Sequence, residues 1–370
     1  MTNREKFLSV LRYEANAQIP IVHFGYWDET IEKWIAEGFV KQGEDWESIS
    51  TRQGFDFEYT ASSYYGGLGN PLLPPFEEKV IKELPDGSSH TLNREGVIEL
   101  RKPGAVSIPA EIGHTLVDRK SWQEFYLPRL QFSADRVNAN EIQKLKEDKS
   151  GNPLGFHAGS LYGSIRNWFG IVGLSYIAVD DEELYDEVIH TLGELELKRA
   201  ALALETAEGF GITFDFIHFW EDICFNTGPL VNPNVYAAKV APYYKKITDL
   251  GKQFGVGIFS LDCDGCIDSL LPIWLENGIN TMFPIEVGTW NASIAPWREK
   301  YGAQLLGVGG MDKRVFAQDK NAIDTEIERL KPLVALGGYI PCPDHRIAPD
   351  AKWELVQYYC ERMRKVFHSD

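Results

Sequence analysis

Asp262 and Asp264 stand one residue apart in the stretch Phe259-Ser-Leu-Asp-Cys-Asp-Gly-Cys266. In an extended chain successive side chains alternate faces, so the two carboxylates point one way and Cys263 the other. Two carboxylates on one face repel each other and lose solvation as they approach. Such a pair needs a cation, a shared proton or a donor-rich ligand. His345, far away in sequence, would complete a set of two carboxylates and one imidazole, with Glu221 or Asp222 as a further ligand. Zinc accepts such ligands, and a catalytic zinc keeps one position open. The other reading is a metal-free polar pocket in which the carboxylates hydrogen-bond a substrate. Cys263 and Cys266 resemble half a zinc knuckle, but no second pair exists, so a buried structural thiol is expected. Cys342 is the one cysteine near enough to His345 in sequence to serve as a ligand.

Other polar and aromatic residues fall near the same kind of position. Glu221, Asp222 and Asp312 are candidate catalytic acids, each just after an apolar run. Tyr26, Trp27, Tyr65, Tyr162 and Trp220 cluster near expected strand ends. With His157, His218 and Glu286 they form the expected substrate-binding set. A mouth this aromatic suits a planar, apolar ligand. His23, inside an early apolar run, is expected to point inward.

Eight apolar runs can position these groups. They are Ile19–Tyr26, Gly54–Tyr59, Asn152–Gly159, Gly211–His218, the run ending at Asp262, Gly278–Pro284, Gln304–Gly309 and Gly337–Pro341. Helical patterns fall between most of them, at Asp28–Glu37, Asp181–Gly209, Asn234–Phe254 and Lys352–Phe367. Strands alternating with helices about eight times predict an α/β chain, a single (β/α)8 TIM-type barrel spanning residues 1–370. A doubly wound sheet is disfavoured because no G-x-G-x-x-G follows the first strand. Such barrels place their sites just after the strands, which is where the polar residues fall. Around residues 78–102 an inserted β-hairpin is expected. It would pair Lys79–Leu84 with Gly96–Arg101 across the Asp86-Gly87 turn signal. His114–Pro128 and Ser133–Asp148 read as surface helices.

Composition narrows the function classes. The chain has 370 residues, 44% of them hydrophobic and 12% aromatic, with a net charge of -17. That acidity argues against binding nucleic acid or an anionic membrane, both of which need basic surface. Met1-Thr-Asn-Arg-Glu-Lys6 lacks the apolar core of a signal peptide, and no apolar run approaches the roughly 20 residues of a membrane span. Five cysteines, an odd number, do not form a disulfide framework. A cytoplasmic protein with reduced thiols is expected.

Several segments, taken in order, resemble the uroporphyrinogen decarboxylase superfamily, specifically its decarboxylase-like branch related to corrinoid-dependent methyltransferases. They are Asn3-Arg-Glu-Lys6 with Ile19-Pro-Ile21, Asp222 with Gly228-Pro-Leu-Val-Asn-Pro233, Asp262-Cys-Asp-Gly265, Gly309-Gly-Met-Asp-Lys313, and Gly337-Gly-Tyr-Ile-Pro-Cys-Pro-Asp-His345. The resemblance implies one α/β barrel. Decarboxylases of the family carry an arginine-rich stretch after the first strand that grips substrate carboxylates. Here that place holds His23-Phe-Gly-Tyr-Trp-Asp28, without arginine. The methyltransferases bind zinc through His-x-Cys after strand five and a Cys after strand eight, positions matched here by Asp262, Asp264 and His345. The expectation is methyl transfer from a small methoxylated, aromatic donor to a corrinoid carried by a separate protein. Zinc, or an acid such as Glu221, would stabilise the departing oxygen. A homodimer is compatible with this reading. Alternatives are decarboxylation of a tetrapyrrole or smaller acid, with Asp56 or Asp312 handling protons, and a non-catalytic ligand-binding barrel.

Overall fold

The structure, a computed structural model, describes residues 1–62, 68–104 and 108–368. Strands β1 (Val22–His23) and β2 (Phe57–Glu58) form a parallel pair. An excursion follows: β3 (Lys79–Glu83), β4 (Ser89–Leu92), β5 (Val97–Arg101) and β6 (Ala110–His114) make an antiparallel sheet in that order. Next come β7 (Gly155–His157), β8 (Phe216–Trp220) and a small hairpin, β9 (Cys224–Phe225) with β10 (Gly228–Pro229). The last four are β11 (Ile258–Asp262), β12 (Thr281–Phe283), β13 (Leu306–Met311) and β14 (Tyr339–Pro343). They join β7 and β8 in a six-stranded parallel sheet of order β14-β13-β12-β11-β8-β7. Eight parallel strands thus lie where the apolar runs place them. The hydrogen-bonded ladder is continuous over six. A single parallel bridge, Tyr26 to Ile347, ties the segments that follow β1 and β14.

Period-2 alternation sorts the strand residues between two apolar clusters. One face gives Val22, Phe24, Phe57, Tyr59, Phe216, Ile258, Phe283, Val308, Ile340 and Cys342 to an inner cluster. The other face packs Ile217, Phe219, Phe259, Leu261 and Met282 against the helices. Each such side chain removed from water contributes about 1.5–3 kcal/mol. Helix Asn3–Leu11, started by a capping box between Thr2 and Glu5, adds Phe7, Val10 and Leu11 to the inner cluster. The longer helices Glu182–Gly209, Ala241–Gln253, Lys320–Val334 and Trp353–Phe367 form the outer layer.

Several expectations are corrected here. The Asp86-Gly87 turn joins β3 to β4 rather than to β5, so the expected hairpin is half of a four-stranded sheet. β4 hid because Ser89-His-Thr-Leu92 is short and polar. Of the surface helix expected over His114–Pro128, His114 ends β6 and Trp122–Tyr126 is a π-type turn. His23 points away from the inner cluster. Its Nε2 sits 2.8 Å from Ser50 Oγ on helix Trp46–Gln53, because it alternates with inward Val22 and Phe24. No described helix is long and apolar enough to cross a membrane.

Candidate functional site

Asp262 ends β11 on the inner face, and the chain then bends through Asp264 to Gly265. Only glycine fits there: φ is +85°, and a Cβ would stand 2.5 Å from the Cys224 carbonyl oxygen. That turn brings the Gly265 N–H 2.5 Å from Glu286 Oε2, while Thr289 donates to Glu286 Oε1 at 2.7 Å. Cys263 turns outward and accepts the Ile223 N–H at 3.4 Å, as the alternation requires. It belongs to the outer core, and burial pushes its thiol well up. Cys342 is fully buried in the inner cluster.

Asp264 meets His345 after β14, with Oδ2 3.5 Å from Nε2. Trp27 stacks on the imidazole at 5.5 Å and 15° between ring planes, and Phe24 approaches it at 5.1 Å. Trp27 is held there by backbone, its N–H donating to Ile347 O at 3.2 Å. The Arg346 guanidinium covers the Trp27 ring at 5.7 Å. On the opposite side Arg166 covers Trp220 at 5.6 Å and reaches Asp222 Oδ2 at 3.3 Å. Asp222 adopts a left-handed φ of 46°, which swings it out of strand alternation toward Asp264 and His345.

The electrostatics follow from crowding. Burial, then Asp264, Asp222 and Glu286, push the Asp262 carboxyl well above the ordinary carboxylate range. Asp262 is 8% exposed, and its carboxyl takes no hydrogen bond from any described residue. Burial first, then Asp264, also raises Glu286. Burial raises Asp344, against N–H groups of Gly288 at 2.7 Å and Lys313 at 3.2 Å. Burial lowers Lys313, against the pull of Asp344, Glu286 and Asp264.

Below the mouth the inner face is polar. Tyr59 donates to Ser260 Oγ at 2.7 Å, and Ser260 Oγ lies 3.0 Å from His218 Nδ1. His157 packs beside His218 with ring centroids 5.7 Å apart, and its Nδ1 accepts the Gly159 N–H at 3.1 Å. Burial keeps both imidazoles neutral. It drives His157 down to about 4 and His218 well below its usual value.

The structure therefore gathers Asp222, Asp262, Asp264, Glu286, His345, Trp27 and Trp220 near one mouth, with His157 and His218 beneath it. Four expected site residues lie elsewhere. Glu221 points outward and is fully buried. Its carboxylate accepts the N–H groups of Leu161, Tyr162 and Gly163 at 2.8, 2.9 and 2.5 Å and the Tyr244 hydroxyl. It anchors the start of helix Gly163–Asp180, which suits an anion at a helix N-terminus. Burial still lifts it to about 7 against those donors. Asp312 caps the short helix Lys313–Ala317 and pairs with Arg314 at 2.7 Å. Tyr26 is buried toward the helices, donating to Gln53 Oε1 at 2.7 Å. The Tyr162 hydroxyl meets Tyr185 OH at 2.9 Å, beside a small outer cavity of about 180 Å³. Asp56 is likewise tied up by Lys6, Arg364 and the Ile21 N–H. Tyr65 lies outside the described residues.

Arg166, Lys313, Arg346, Tyr59 and Ser260 were not foreseen. Lys313 and Arg346 each adjoin a residue already singled out, Asp312 and His345, and Ser260 precedes Asp262 by one strand period. Among the described residues no group of three or more His, Cys, Asp or Glu side chains closes to metal-holding geometry. The donor chemistry still fits a divalent cation. Among the described residues no hydrogen bond reaches the Asp262 carboxyl, and none reaches the buried Asp264 Oδ1 or His345 Nδ1.

Fold and site together define an α/β chain with a polar, aromatic-rimmed mouth at the C-terminal ends of parallel strands. No family model matches the sequence, and no curated protein matches it. Among solved structures, a methyltransferase from Methanosarcina mazei is similar over 100% of both chains, with TM-score 0.59 and 13% identity. That likeness shows the fold. A protein described as a vitamin-B12-independent methionine synthase from Listeria monocytogenes matches 62% of this chain and 69% of its own, with TM-score 0.35 and 14% identity.

Proposed function

We propose that the chain is a methyltransferase built on a (β/α)8 barrel, moving a methyl group from a small methoxylated arene to a corrinoid carried by a separate protein. The observation that carries this reading is the mouth itself: Asp262 on the floor, with no hydrogen bond from any described residue, and Trp27 and Trp220 at its sides. The fold shared with a methyltransferase supports it. The tryptophans bracket the ring. His218 and Asp262 face its oxygen from below. Asp262, rather than the saturated Glu221, takes the acid role toward the departing oxygen as the methyl carbon is attacked. Where a zinc ion is bound, Asp262, Asp264 and His345 would instead hold it as ligands, and its Lewis-acid polarisation of that oxygen would replace the acid role of Asp262. The corrinoid protein docks over the strand ends.

The test is a panel of methoxyarenes incubated with the chain and cob(I)alamin. Growth of the methylcobalamin absorption with at least one arene, lost in Asp262→Ala, is expected. No methylcobalamin with any arene, with or without added zinc, would sink the reading.

A further inference from the structure

Ser260 is fully buried on β11, and its hydroxyl carries one proton and accepts at two lone pairs. Tyr59 fills one of those, as donor, at 2.7 Å. The remaining neighbour is His218 Nδ1 at 3.0 Å, and among the described residues Ser260 Oγ has no other acceptor. Buried hydroxyl protons are spent on a partner, so the Ser260 proton goes to Nδ1. His218 Nδ1 is then an acceptor, and a neutral ring must carry its proton on Nε2. That Nε2 makes no hydrogen bond to any described residue. His218 lies on the inner face two residues before Trp220, and it is in register with Ser260, itself two residues before Asp262.

We infer that the relay Tyr59–Ser260 locks His218 as an Nε2–H donor aimed at a ligand oxygen inside the strand ring, so the site takes an ether, carbonyl or phenolate oxygen and rejects groups that cannot accept. This rests on the proposed methoxyarene reading for the identity of the ligand, not for the tautomer. His218 is the contacting residue, whereas Tyr59 and Ser260 are positioning residues. Burial, which keeps the ring neutral, agrees with it. A site built to hydrogen-bond an oxygen discriminates strongly against analogues that cannot accept, because its buried donor is then left unpaired.

Two measurements on the full chain decide it. Long-range proton–nitrogen correlation spectra of the 15N-histidine protein, with His218 assigned by its loss in His218→Phe, report the tautomer. A single Nε2–H form is expected in the wild type, with mixed tautomers in Ser260→Ala while His23 and His157 stay unchanged. An Nδ1–H form in the wild type, or a Ser260→Ala spectrum identical to wild type, overturns the relay. Calorimetric titration with methoxybenzene and with ethylbenzene, which has the same shape but no acceptor, reads the donor. The wild type should prefer the oxygen compound at least about tenfold, and His218→Phe should lose that preference. Equal binding of both by the wild type overturns the donor role. If neither compound binds, the methoxyarene reading fails, and the tautomer alone upholds or overturns the lock.

Discussion

Asp264 and His345 face each other at 3.5 Å across the ends of β11 and β14, and each keeps one buried polar atom without a hydrogen-bond partner among the described residues. Buried groups are normally satisfied, so such an arrangement is completed by something that arrives. Asp264→Ala or His345→Ala should keep the far-ultraviolet circular dichroism of the wild type. If the proposed site holds zinc, each should lower the proposed methyl-transfer turnover by about 10–100-fold and lower the zinc content read by elemental analysis, as losing a ligand or its support does. Unchanged turnover and unchanged metal content in both variants would remove the pair from the site.

Glu221 is a folding residue. Five donors converge on its buried carboxyl, three of them backbone N–H groups opening helix Gly163–Asp180 and two the hydroxyls of Ser160 and Tyr244. Glu221→Ala strands all of them and should cost about 3–5 kcal/mol in urea unfolding, since a lost buried partner leaves full desolvation penalties behind. Glu221→Gln should cost nearly as much, because its amide donors would face other donors. Wild-type stability in either variant would return Glu221 to the list of pocket acids.

The strand positions and the divergence of Asp262 and Asp264 from Cys263 were legible, because period-2 alternation survives as far as the strand does. The choice between Glu221 and Asp222 was not. It turns on the left-handed φ of Asp222, a backbone reversal that spacing does not record. Tyr26 and Tyr162 misled for a related reason. An aromatic near a strand end can face the inner cluster or the helices, and their hydroxyls found Gln53 and Tyr185 in the outer layer. Arg166 and Arg346 escaped notice because surface arginines are common, and only the fold lays them over Trp220 and Trp27.

His23 gives a pH test. Burial drives it down to about 3 from the ordinary 6.5. Between those values the unfolded chain binds a proton that the folded chain refuses, so stability falls as pH drops from 6.5 toward 3. Each pH unit in that window is worth about 1.4 kcal/mol at most. The stability difference between wild type and His23→Gln, followed by urea unfolding from pH 7 to pH 5, should narrow with falling pH. A difference constant across that range would mean that His23 titrates normally in the folded protein.

Gly265 is where geometry and function meet. Its φ of +85° and the Cys224 carbonyl oxygen 2.5 Å from any added Cβ leave no room for a side chain. Its N–H also fixes Glu286, which in turn raises Asp262. Gly265→Ala should therefore cost about 1–3 kcal/mol in stability. It should also lower turnover beyond what that loss explains, because Asp264 is the adjoining residue and moves with the turn. Measuring turnover well below the melting transition separates the two effects. A variant that is destabilised yet turns over like wild type would show that the turn supports the fold and leaves the position of Asp264 to His345.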